Sequence, residues 1–263
     1  MTTVPGFDTT TFTALDKSRE VYRRGSGPAV IVMAEVPGIT PLVAGFATRV
    51  AEAGFSVFMP QLFGTPNRVE SKGYAIGVIA GACISREFKV LATNESSPVV
   101  DWLRALARHA HEQCGGKGVG AVGMCLTGNF ALAMMLNAPI IAPVLSQPSL
   151  PFSIGKRRSA ALHASPEAIA AAHDKIDNHG ARILGLRFKG DPMCRAARFA
   201  ALREEFGSAF EGIEIDDRFA NPRGSPPPHS VLTRHLIDAE GQPTRDALMR
   251  TLAFLRAQLV SAA

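Results

Sequence analysis

The amino-acid sequence predicts an α/β protein, with a mainly parallel central sheet and helices on both of its faces. Three observations carry this. Apolar runs of strand length, such as Pro28–Ala34 and Pro139–Leu145, lack the alternation of a half-exposed strand and read as strands buried on both faces. Between such runs lie segments with helical spacing, so strands and helices alternate along the chain. The 263 residues, 46% of them apolar, can bury a full core in one unit. A single domain over residues 1–263 is expected.

The elements follow in order. Residues 12–24 read as an opening hairpin, with Glu20–Arg24 as one strand and Gly25-Ser26-Gly27 as a turn. The run Pro28–Ala34 is a strand ending in the turn Glu35-Val36-Pro37-Gly38. Leu42–Ala53 is a helix closed by Gly54, and Phe55–Pro60 is the next strand, a spacing that suits a crossover between parallel strands. Residues 61–96 are the least readable, with a helix suggested over Ala75–Ile84, and long excursions of this kind often shape a substrate entrance. Pro98–His111 is amphipathic, with Val99, Trp102, Leu103 and Leu106 on one stripe. Val119–Met124 is a short strand leading to a helix over 127–136. Pro139–Leu145 is a strand, Ser165–Asp177 a helix opening on Ser-Pro-Glu, and Ala181–Phe188 a strand ending at Gly190-Asp191-Pro192. Ala196–Phe206 is helical, Phe210–Ile215 a strand, and a Pro/Gly-rich loop from Asn221 to Pro228 delivers His229. Thr244–Leu259 closes the chain as an amphipathic helix. No internal repeat is apparent.

Composition excludes several classes. The N-terminus lacks a basic stretch followed by an apolar one, and no apolar run approaches a membrane span, so a cytoplasmic protein without membrane contact is expected. Four scattered cysteines with no Cys-x-x-Cys pair read as free thiols in a reducing compartment, not as a disulfide framework or a zinc site. The net charge is +5, but the one basic cluster, Lys156-Arg157-Arg158, has no interleaved aromatics, so no nucleic-acid partner is expected. An anionic small substrate would benefit from that charge.

Cys125 stands on the sharp turn between the strand Val119–Met124 and the helix that follows. The pattern Gly123-Met124-Cys125-Leu126-Thr127-Gly128 fits a nucleophile elbow, in which small residues flank a nucleophile raised above the sheet edge. The helix start there would favour a thiolate. On this window alone, a buried structural cysteine at a strand end is an equal reading. The rest of the chain weighs in through order. In an open parallel sheet, sites form beyond the carboxyl ends of the strands. Cys125, Asp191 and His229 all fall there, in the nucleophile–acid–histidine order of the α/β-hydrolase fold. The thiolate would attack, His229 would carry the proton, and Asp191 would hold the imidazole. A hydrolase of this kind is expected to need no metal or organic cofactor.

These motifs together resemble the dienelactone hydrolase family. Its Gly-x-Cys-Leu-Gly-Gly elbow is matched by residues 123–128, with Thr127 standing at a family glycine. Its glutamate after the first central strand is matched by Ala34-Glu35-Val36, its aspartate by Gly190-Asp191-Pro192, and its histidine by His229-Ser230. The resemblance runs over roughly residues 20–258. It implies an α/β-hydrolase fold and cleavage of a carboxylic ester or enol-lactone, of the dienelactone-to-maleylacetate type, through an acyl-thioester on Cys125. It also implies an oxyanion hole made by the Leu126 and Val36 amides, and Glu35 hydrogen-bonded near the thiol. A carboxylate there would repel a thiolate. The family's arginines for a substrate carboxylate are matched only loosely, by Arg86 and Arg234.

Other readings compete. Gly118–Gly123 spells Gly-x-Gly-x-x-Gly, but those glycines precede and enter a strand, and no acidic residue follows about 20 residues on, so a dinucleotide site is rejected. A redox-responsive thiol protein lacks an adjacent resolving cysteine. A non-catalytic binding module of the same fold is the third possibility. His235, six residues past His229, is a rival base for which a surface role is expected. His109, His111, His163, His173 and His179 read as solvent-exposed. Cys83, Cys114 and Cys194 read as packed or half-exposed thiols.

Overall fold

The computed structural model describes residues 3–69, 71, 73–75, 77, 78, 97–149 and 160–261. Arg86, Cys83, the Lys156–Arg158 cluster and most of the helix suggested over Ala75–Ile84 lie outside them.

The opening hairpin starts earlier than its sequence suggests. β1 (Asp8–Ala14) and β2 (Lys17–Arg24) pair antiparallel across a two-residue turn at Leu15 and Asp16. Both turn residues take left-handed backbone, φ 51 and φ 58. Glycine and asparagine normally supply that conformation, so a Leu-Asp turn carries little local signal. Gly25 and Gly27 instead lead into the next strand.

β3 (Ala29–Met33), β4 (Ser56–Pro60), β5 (Val119–Met124), β6 (Ile140–Ser146) and β7 (Ile183–Phe188) are buried at every residue. Burial on both faces accounts for their unbroken apolar runs. β8 (Phe210–Ile215) closes the far edge and is only partly covered. The eight strands form one sheet in the order β1-β2-β4-β3-β5-β6-β7-β8. β2 meets β4 antiparallel, and every pairing from β4 to β8 is parallel.

Two of the helices begin at a capping hydroxyl. The Thr40 hydroxyl accepts the Val43 amide at 3.3 Å ahead of α1 (Pro41–Glu52). α2 (Pro98–Cys114) buries the expected stripe, including Val99, Trp102, Leu103 and Leu106, and stops at Gly115. Ser165 caps α4 (Pro166–His179) in the same way as Thr40, and Gly180 ends it at φ 64. α5 (Ala196–Phe206) and α6 (Pro243–Leu259) are the remaining longer helices among the described residues.

The elbow helix is shorter than its sequence suggests. Residues Cys125–Thr127 form a 3₁₀ turn, and α3 spans only Gly128–Ala133. All of α3 is buried, so its apolar run reflects burial on every side. With Asn137 in left-handed backbone and Pro139 beyond it, the chain turns straight into β6.

Parallel strands β3, β5, β6 and β7 all end on one edge of the sheet. Glu35, Cys125, Gln147 and Asp191 therefore gather there, although they are far apart in the chain.

Candidate active site

Cys125 sits at φ 57, a left-handed conformation that costs a non-glycine residue energy. The turn is held tight from both sides. A Cβ on Gly123 would collide with the Thr127 carbonyl oxygen, so only glycine fits two residues before the cysteine. A Cβ on Gly128 would press on Pro148 at 2.9 Å. Thr127, at a position where the resemblance has glycine, locks the turn to its neighbour strand. Its hydroxyl accepts the Met124 amide at 2.9 Å and lies 3.0 Å from the Met33 carbonyl and 3.3 Å from that of Ala34. The departure from the motif is thus a tie between the ends of β3 and β5. The Leu126 amide follows the cysteine in the first turn, where backbone N–H groups have no partner within a helix. Val36 lies just past the end of β3. A six-residue helix after a 3₁₀ turn offers less dipole than the long helix anticipated from sequence.

His229 Nδ1 is 2.6 Å from Asp191 Oδ2, and both side chains are buried. The other Asp191 oxygen accepts the Met193 amide at 2.9 Å, which fixes the carboxylate plane. Arg187, buried at the end of β7, donates to the carbonyls of Cys194 and Lys189 on either side of Asp191, so the aspartate loop is pinned from below. Burial drives the His229 pKa down, but the Cys125 charge and the Asp191 hydrogen bond outweigh it, and the imidazole is held well above 6.5. Nε2 makes no well-aligned hydrogen bond among the described residues. Sulfur is a large, weak acceptor, so the Cys125–His229 pairing is one of charge more than of alignment.

The cysteine's aligned partner is Ser149, whose hydroxyl is 3.3 Å from Sγ, and the Ser149 amide also donates to the Cys125 carbonyl at 3.1 Å. Asn129 donates to the carbonyls of Leu126 and Ser149, and its own oxygen accepts from the buried Arg198 at 2.8 Å. Nothing in the sequence pointed to Ser149 beyond its place after β6.

Glu35 is buried, but its hydrogen bonds do not go to the thiol. The carboxylate accepts Ser230 Oγ at 2.6 Å, Thr233 Oγ1, and Gln147 Nε2 at 3.3 Å. The position implied by the resemblance is corrected accordingly: Glu35 ties the histidine loop to the end of β3. Gln147 reinforces the tie by accepting the Val231 amide at 3.3 Å.

His235 is also corrected. It is 2% exposed, and its Nδ1 accepts the amides of His229 at 3.2 Å and Ser230 at 3.1 Å. The His-x-x-x-x-x-His spacing was visible in the sequence, but the fold back onto the first histidine was not. His163 is buried as well. His109, His111 and His173 are half-buried, and only His179 is exposed as expected. Cys194 is buried, with its thiol pushed far up by desolvation and by Asp191, and Cys114 is half-buried. Arg234 lines a surface cavity of about 470 Å³ together with Arg223, Leu42 and Val69.

Among the described residues, no group of three His, Cys, Asp or Glu could hold a metal ion, and no helix is long and apolar enough to cross a membrane.

A family model for dienelactone hydrolases matches residues 18–216. A candidate carboxymethylenebutenolidase of Saccharomyces cerevisiae is 28% identical over 116 residues, or 44% of this chain and 41% of that protein. The match thus spans less than half the length of that curated relative. The fold is similar to that of a candidate dienelactone hydrolase from Klebsiella pneumoniae, at TM-score 0.62 and 19% identity over 94% of this chain and 97% of that one. It is also similar to the dienelactone hydrolase from Anabaena variabilis, at TM-score 0.57 and 16% identity over 96% and 98%.

Proposed function

Because the chain belongs to the dienelactone hydrolase family, we propose that it cleaves a carboxylic ester or enol-lactone through Cys125, His229 and Asp191. The observation that carries this is a strained cysteine at the end of β5 beside an imidazole hydrogen-bonded to a buried carboxylate. The raised imidazole pKa favours a positively charged His229 ring beside the sulfur at neutral pH.

The Cys125 thiolate attacks the acyl carbonyl, and the resulting oxyanion is received by the Leu126 and Val36 amides. His229 Nε2–H protonates the departing alkoxide or enolate, leaving an acyl-thioester on the sulfur. Water then gives a proton to Nε2 and attacks the thioester, and the carboxylic acid leaves as the thiolate and imidazolium return. Asp191 holds the Nδ1–H bond throughout and stabilises the positive ring.

The substrate is proposed to be a small anionic ester or lactone, in keeping with the net charge of +5. Free thiols suit a reducing compartment, and the cytoplasm is proposed as the site of the reaction. The test is a panel of cis- and trans-dienelactones beside short p-nitrophenyl esters, with charged and neutral members. Hydrolysis that disappears in Cys125→Ala is expected. Undiminished hydrolysis in that variant, or none by the parent on any member, would overturn the reading.

A further inference from the structure

The imidazole of His235 gathers two backbone amides onto one nitrogen. Nδ1 accepts from His229 N at 3.2 Å and Ser230 N at 3.1 Å. Backbone amides can only donate, so Nδ1 carries no proton. Nε2 faces the Ser225 carbonyl at 3.1 Å, which can only accept, so Nε2 carries the hydrogen. The ring is therefore neutral, in a single tautomer set by its three partners. Its own backbone adds two further ties: the His235 amide donates to the Ser230 carbonyl at 3.0 Å, and the Asn221 amide donates to the His235 carbonyl at 3.0 Å. The Pro-rich loop closes over the ring so tightly that a Cβ on Gly224 would drive into it. Phe188 packs edge-on against the other side.

We propose that His235 is a positioning residue: it clasps the amides of His229 and Ser230, and so sets His229 against Asp191 and Cys125. The proposal rests on the hydrolase reading for its catalytic consequence and on geometry alone for the clasp. It also assigns a purpose to the long Pro-rich loop, which supplies the Ser225 acceptor and covers the ring.

A clasp built on an unprotonated nitrogen opens in acid. Protonation at Nδ1 would replace an acceptor with a donor facing two N–H groups, and both bonds would be lost. The charged groups acting on the ring are Arg234 and His229 from its own loop and Glu35 from the end of β3. The other groups packed against it are the Phe188 ring, Gly224 and the Ser225 carbonyl, none of which titrates. Burial holds the His235 pKa below 6.5. Arg234 and His229 act in the same direction, and the Ser225 bond and Glu35 oppose them. The clasp is therefore closed at neutral pH and opens on the acid side of the ordinary histidine range.

Two variants separate the clasp from simple packing. His235→Asn places an amide oxygen where Nδ1 stands and cannot be protonated. His235→Phe keeps the ring and removes the acceptor. Two measurements are made on the full chain: hydrogen-exchange protection of the His229 and Ser230 amides, with β5 and β7 as internal controls for folding, and kcat and KM for a p-nitrophenyl ester across pH. Protection at the two amides is expected to fall about tenfold or more in His235→Phe and to persist in His235→Asn. The Phe variant should lose kcat with little change in KM, while the Asn variant should keep most of it and lose less toward acid than the parent. Equal protection in the two variants would overturn the clasp. So would equal kcat in an active protein. If the parent hydrolyses nothing, the exchange measurement still decides the clasp, while the hydrolase reading fails on its own.

Discussion

The Ser149 hydroxyl lies 3.3 Å from the Cys125 sulfur and is the sulfur's aligned hydrogen-bond partner. A thiolate has no proton to give, so with Cys125 ionised Ser149 must be the donor. Its own backbone is tied down by Asn129, which Arg198 holds in turn.

Removing that donor should therefore weaken the nucleophile. A hydrogen bond to a charged group contributes about 1.5–3 kcal/mol, so Ser149→Ala should slow alkylation of Cys125 at neutral pH by about tenfold or more. The pH midpoint of the iodoacetamide reaction should move upward in parallel. An unchanged midpoint would mean that the thiol donates to the serine and that the thiolate stands alone.

Reactivity should be confined to one cysteine. Cys194 is 1% exposed, with a thiol that burial keeps protonated, whereas Cys125 is partly open to solvent beside an imidazole. One equivalent of a thiol reagent, followed by peptide mapping, should label Cys125. Substrate should protect it. Predominant labelling of Cys114 or Cys194 would refute the assignment of the nucleophile.

The coupling between Cys125 and His229 has a sign that can be measured. The folded imidazole titrates above its unfolded value, so the stability it contributes is fully present below about 6.5 and is lost as pH rises through the raised pKa. Cys125→Ala takes away the sulfur's charge beside the ring. The His229 midpoint, read from its ring proton resonances, should then drop, and the alkaline loss of stability should shift to lower pH. Identical midpoints in parent and variant would show that the two residues do not interact.

Glu35 is expected to act through the histidine loop. Glu35→Gln leaves at least one of its three donors without a matching acceptor, at a cost of about 1–3 kcal/mol for a buried group. The melting temperature and turnover should both fall, while the rate of Cys125 alkylation stays close to the parent's. Faster alkylation would instead return Glu35 to the role of a charge that repels the thiolate.

What the sequence determined by itself was everything written in local spacing. Buried parallel strands appear as unbroken apolar runs, one helix start as Ser-Pro-Glu, and the elbow as two glycines around a cysteine. The limits of α5 and β8 were legible to the residue, because burial and backbone preference act over a few neighbouring positions. The Leu15-Asp16 turn and the short elbow helix were not, since there the surrounding structure overrides local preference. Only the tertiary structure decided how the polar groups at the sheet edge are shared out. Glu35 and Ser230 lie 195 positions apart, and Cys125 and Ser149 lie 24 apart, yet the side chains of each pair are joined by a hydrogen bond. A buried polar atom must be satisfied by whatever the fold brings within about 3 Å. The parallel strands carry their C-terminal residues to one edge. That is why Glu35 bonds to the histidine loop and His235 turns inward to hold it.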